Sequence, residues 1–140
     1  MNLHPLVNTE SLFIAYDQDN DWLYADWKGI HTQASAQAGC EQILQCLKLR
    51  PCRKILNDNS NVFRAEFRLT GWGLSWLHEL GSLGLECLAW VYAPDFKARQ
   101  DAEALLPLIT QPVLATFDDL ASACWWLQHY QSPGTIMQEG

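Results

Sequence analysis

Apolar residues in this chain recur at two spacings, and the spacing switches along the sequence. In "SLFIAYDQDNDWLYADWKGI", Leu12, Ile14 and Tyr16 alternate with Phe13 and Ala15, the acidic stretch "DQDND" intervenes, and a second run extends from Trp22 to Trp27. A period of two on both sides of a polar break predicts a β-hairpin. Beyond it, Ala36, Cys40, Ile43, Leu44 and Leu47 fall on one helical stripe behind a capping Thr32. Pro51 closes that helix.

Lys54 to Asp58 reads as a short buried strand, with Asn57 to Ser60 as the turn that ends it, because Asn and Asp side chains can bond their own backbone. Residues 61–69, with Phe63 and Phe67, fit neither period. A helix begins at Thr70 and carries Trp72, Trp76, Leu77 and Leu80, and Gly81 or Gly84 in "GSLGL" supplies its stop. The nearly continuous apolar run "ECLAWVYAP" has the pattern of a central strand covered on both faces. Residues 95–109 predict a helix through Phe96, Ala102, Leu105 and Leu106, interrupted by Pro107; "PVLATFDD" predicts a strand and "DDLASACWWLQHY" a last helix capped by Asp118 or Asp119. The tail from Ser132 is expected to fray. The order β-β-α-β-α-β-α-β-α predicts an α/β domain with a largely parallel sheet, an antiparallel first strand and packed helices. One domain is expected over 1–140, its core over about 11–130.

Composition narrows the chemistry. The formal charge is −7, and the only basic cluster is Arg50, Arg53 and Lys54, so nucleic acid is not an expected partner. Five cysteines without a Cys-x-x-Cys pair point to reduced thiols, and the four scattered histidines offer no metal spacing. The "DQDND" turn lacks the twelve-residue frame of a calcium loop. Neither a nucleophile elbow beside His78 or His129 nor a Lys after "GWG" is present. No metal, cofactor or catalytic residue is therefore expected. The start "MNLHPLVNTE" has no signal-peptide pattern, and no apolar run is long enough for a membrane span, so a cytosolic location is expected.

Four stretches together, "YDQDNDWLYADWKG", "KILNDNS", "LGLECLAWVYAP" and "FDDLASACWWL", resemble the SpoIIAA-like superfamily, in particular small stand-alone bacterial proteins with STAS-type or CRAL-TRIO-type folds. The resemblance implies a SpoIIAA-like fold over most of residues 11 to 128. In STAS antagonists the phospho-acceptor hydroxyl lies in an "Asp-Ser-Ser-Gly" stretch at the start of a helix. Here "RLTGWGL" takes that place, which makes Thr70 the acceptor-like residue and puts Leu69 where the acid would be. Read from the residues alone, Thr70 is a helix N-cap.

Two functions follow as expectations. One is a non-catalytic, STAS-like regulatory or protein-interaction domain, with a protein partner or a second copy as its target. The other is a small binding protein for a lipid or another apolar ligand, with Asp58, Asn59, Phe63, Phe67, Trp72 and Trp76 as pocket candidates. On the last helix, Trp125 and Trp126 are adjacent and cannot both face the sheet, so one of them is expected at the surface as an interface anchor.

Overall fold

A computed structural model describes residues 2–68 and 70–132; Leu69 and the tail beyond Ser132 lie outside the described residues. Six strands, β1 (Leu3–Asn8), β2 (Leu12–Asp17), β3 (Trp22–Thr32), β4 (Lys54–Glu66), β5 (Cys87–Val91) and β6 (Val113–Phe117), form one sheet in sequence order. The first three pair antiparallel and the rest parallel. Helices α1 (Gln33–Leu49), α2 (Gly71–Ser82) and α3 (Phe96–Leu105) connect the parallel strands, and α4 (Leu120–His129) ends the fold.

This order dictates where the helices lie. Each parallel crossover advances one strand in the same direction, and the right-handed rule then sets α1, α2 and α3 on one face. Their buried residues, among them Ile43, Leu47, Leu77, Leu80 and Ala102, share one cluster with Ile14, Leu23, Ile55 and Leu88 of the sheet. The other face carries α4, whose Ala123 and Leu127 pack with Trp22, Leu56, Cys87, Ala89 and Val91. Strands buried on both sides read as continuous apolar runs, which is the pattern of "ECLAWVYAP". Lys54 at the start of β4 pins the end of α4 by donating its Nζ to the carbonyls of Leu127 and Tyr130.

Three local expectations are corrected. Residues 3–8 form an edge strand, β1, where no strand was expected; it contains Pro5, tolerable on an edge and next to the register shift between Pro5 and Val7. The polar stretch Asn57 to Ser60 is no turn: β4 runs through it for 13 residues, with Asn57 and Asp58 accepting from Trp27 and Tyr24 of the neighbouring β3. Gly84, with φ +101°, takes the left-handed conformation after α2, whereas Gly81 remains within the helix. Beyond these, the helix expected over 95–109 ends at Leu105 and continues as a 3-10 turn over Leu106–Leu108.

Candidate functional site

Toward the carboxyl ends of β3, β4 and β5, the helical face opens into a narrow cleft with an enclosed volume of about 70 Å³, which widens to about 700 Å³ only when the solvent at its mouth is counted. The sheet supplies Trp27, Asn57, Asn59, Val62 and Trp90, the segment after β5 supplies Tyr92 and Ala93, and the helices supply Cys40, Trp72, Trp76, Ala98 and Asp101. Phe67, in the connection leading to α2, stands 6.0 Å from Trp72, ring centre to ring centre.

Two of the indoles are locked in place. Trp27 Nε1 donates to Asn57 Oδ1 at 2.8 Å, and Trp76 Nε1 donates to the Cys40 carbonyl at 2.9 Å. His31 at the cleft edge donates through Nε2 to the Ser11 carbonyl at 3.1 Å. Other polar atoms are left without partners. Among the described residues, four buried side-chain N or O atoms make no hydrogen bond: Trp22 Nε1, Asn59 Nδ2, Trp72 Nε1 and Asp101 Oδ2. The last three belong to residues that line this one cleft. Each such group costs about 1–3 kcal/mol when left bare. Their concentration in one place makes this cleft the candidate site.

The opposite face of β3 and β4 carries a second polar group, and this one is satisfied internally. The Tyr24 hydroxyl donates to Asp58 Oδ2 at 3.0 Å, Asp58 Oδ1 accepts from the Ser60 amide at 2.9 Å and from its hydroxyl at 2.6 Å, and Asn61 donates to Asp26 Oδ1 at 3.0 Å. Burial, reinforced by the charges of Asp58 and Asp26, raises the Tyr24 phenol well above its ordinary range. Tyr24 is thus held as a donor. Burial likewise raises Asp26, against the opposing bond from Asn61.

The thiols are held protonated. Burial pushes Cys40 and Cys87 up to about 12 and Cys52 up to about 11, and it raises Cys46 and Cys124 as well. A thiol in that state is a weak nucleophile at neutral pH. Among the described residues, no group of three or more His, Cys, Asp or Glu side chains is arranged to hold a metal ion.

The residues singled out from sequence separate into five places. Asn59, Phe67, Trp72 and Trp76 meet in the cleft. Asp58 points to the other face, beside Tyr24. Phe63 is 79% exposed on β4, away from the cleft lining. Trp126 is half-buried against Phe117 and Tyr130, while Trp125 is 62% exposed and stacks on His129 at 4.2 Å. Thr70 occupies the N-cap position of α2, yet its side chain makes no cap hydrogen bond. Its backbone carbonyl instead accepts from Gly73 and Leu74. Sequence reasoning did not find Trp27, Trp90, Tyr92 or Asp101. Trp90 and Tyr92 were visible as alternate positions at the end of a central strand; Trp27 and Asp101 gave no local signal.

No protein-family model and no curated protein matches the chain. Solved structures do. An uncharacterized protein of the DUF3478 family with a SpoIIAA-like fold, from Shewanella loihica PV-4, superposes with a TM-score of 0.55 at 15% identity, over 87% of this chain and 98% of that one. The fold is SpoIIAA-like. Apo-SiaC from Pseudomonas aeruginosa superposes with a TM-score of 0.46 at 14% identity, over 83% of this chain and 98% of that one. In this chain the cleft lies between the helices and the parallel half of the sheet, and no described helix is long and apolar enough to cross a membrane.

Proposed function

We propose that this protein is a non-catalytic binding domain of the regulatory type, acting in the cytosol, which takes a small and largely apolar ligand in the cleft between α1, α2, α3 and the sheet. One observation carries the reading: three of the four bare buried polar atoms among the described residues belong to one aromatic-walled cleft. Apolar walls with a few convergent polar groups are the usual make-up of a small-molecule site. Protonated thiols are in keeping with binding rather than nucleophilic chemistry.

Native mass spectrometry of freshly purified protein tests this. The expected result is an added small mass on the wild type that is lost in Trp72→Ala. A bare wild type, together with no change in Nile red fluorescence on mixing, would contradict it.

A second reading concerns output, and the exposure of Trp125 favours it. A large ring that is 62% exposed on α4 is a natural anchor for a protein partner or a second copy. The exposed Thr70 at the start of α2 is the position that the STAS resemblance assigns to phosphorylation. A phosphate there would meet the free amides of the first turn of α2. Purified protein that stays monomeric at every concentration would remove the second copy as the target of Trp125, and cells that yield no phosphorylated Thr70 would remove the phosphorylation.

A further inference from the structure

The polar atoms of the cleft say what its ligand must offer. Asp101 on α3 is a carboxylate in an aromatic surround: its side chain is 18% exposed, Oδ1 stands 3.9 Å from Arg68 Nε, and Oδ2 is buried without a partner. The 3.9 Å separation is too long for a hydrogen bond, and Arg68 is itself 76% exposed, so solvent screens the pair. Among the described residues, no Lys or Arg lines the cleft. Arg99 on α3 stacks over the Tyr92 ring at 4.4 Å and is engaged by Glu103 and Asp118.

Indole, phenol and phenyl faces carry negative charge density, and they attract cations most strongly where water is excluded. Trp27, Trp72, Trp76 and Trp90 contribute indoles to the walls, and Phe67 and Tyr92 add two more rings. Resting on the reading of the cleft as a ligand site, we infer that its ligand is an organic cation: a protonated amine or quaternary ammonium on an apolar body, whose charge is met by the aromatic walls and by Asp101. The other two bare atoms, Asn59 Nδ2 and Trp72 Nε1, are both donors on residues that line the same cleft, and an acceptor on the ligand would be complementary to them. A purely anionic ligand would meet the Asp101 charge, which the exposed Arg68 offsets only weakly across 3.9 Å.

The test is an isothermal titration of wild type and Asp101→Asn with three probes of similar size: benzyltrimethylammonium, 2-phenylethanol and phenylacetate. In the wild type the cation should bind at least tenfold tighter than the alcohol, with phenylacetate weakest. In Asp101→Asn the advantage of the cation should fall below threefold while the affinity for the alcohol stays within twofold. If the alcohol or phenylacetate binds wild type as tightly as the cation, the inference is overturned and the apolar-ligand reading survives. If no probe binds, both are overturned. A cation advantage that persists in Asp101→Asn also overturns the inference, because the charge is then recognised elsewhere. Should Asp101→Asn fail to fold, the wild-type ratio of cation to alcohol decides by itself.

Discussion

The indole of Trp27 on β3 donates to the side-chain oxygen of Asn57 on β4 at 2.8 Å, a buried bond between parallel neighbours 30 residues apart in sequence. It fixes the floor of the cleft, and it explains why a polar residue continues β4 where a turn was expected. Asn57→Ala should cost about 1–3 kcal/mol, since the indole donor is left bare in a buried site. Trp27→Phe should be comparable or worse, because it also leaves a void. Urea unfolding of both single variants and the double variant checks this. Strictly additive losses would show that the two side chains do not act as a pair.

Trp27 is held from its other side by Gly39 of α1. A Cβ placed on Gly39 would lie 2.4 Å from both Cη2 and Cζ3 of the ring. Ala is favoured over Gly in a helix by about 1 kcal/mol, but overpacking a ring that Asn57 already fixes costs about 1–3 kcal/mol. Overpacking should win, so Gly39→Ala destabilises. In a Trp27→Leu background the clash is gone, and the same substitution should become neutral or stabilising. A thermal melt of the four proteins reads the change of sign.

The two N-caps should respond differently to loss of their hydroxyls. Thr32 completes a capping box: its Oγ1 accepts from the Ser35 amide at 3.2 Å while the Ser35 hydroxyl accepts from the Thr32 amide at 2.9 Å. Thr70 makes no such bond. Thr32→Ala should therefore cost about 1 kcal/mol, and Thr70→Ala less than about 0.5 kcal/mol. Equal losses in denaturant midpoint would show that Thr70 is a cap after all.

Asp26 gives the fold a pH signature. Burial is the main cause of its raised folded pKa, with the Asp58 charge adding to it and the Asn61 bond and Lys28 opposing. The unfolded chain has the ordinary Asp value of about 3.9, so between that value and the higher folded one the native state binds the proton more tightly. Stability from this group accordingly falls as pH rises through that window and recovers on acidification. Asp26→Asn, which can still accept from Asn61, should be more stable than wild type at pH 7, and the gap should close near pH 4. A gap that is the same at both pH values would contradict this.

Much of the architecture was legible because spacing is a local property. The stripe of Ala36, Cys40, Ile43, Leu44 and Leu47 and the apolar run Cys87–Val91 each announce their element. What was illegible depends on partners far away in sequence. Asn57 and Asp58 look like a turn until Trp27 and Tyr24 are beside them, and Asp101 looks like one more surface acid of α3 until the cleft forms around it. The edge strand β1 escaped for a different reason. With four of its six residues exposed and a Pro in the middle, it has no alternation to read.

On the proposed reading the cleft, and no other aromatic surface among the described residues, binds the small ligand. The seven tryptophans allow a direct reading, because each indole N–H gives its own resonance in a proton–nitrogen NMR spectrum of the labelled protein. On titration with benzyltrimethylammonium, the signals of Trp27, Trp72, Trp76 and Trp90 should shift together along one saturable curve. Trp22 on the far face and Trp125 and Trp126 on α4 should stay in place. Shifts led by Trp125 and Trp126, or no saturable shift at any of the four cleft indoles, would contradict the account.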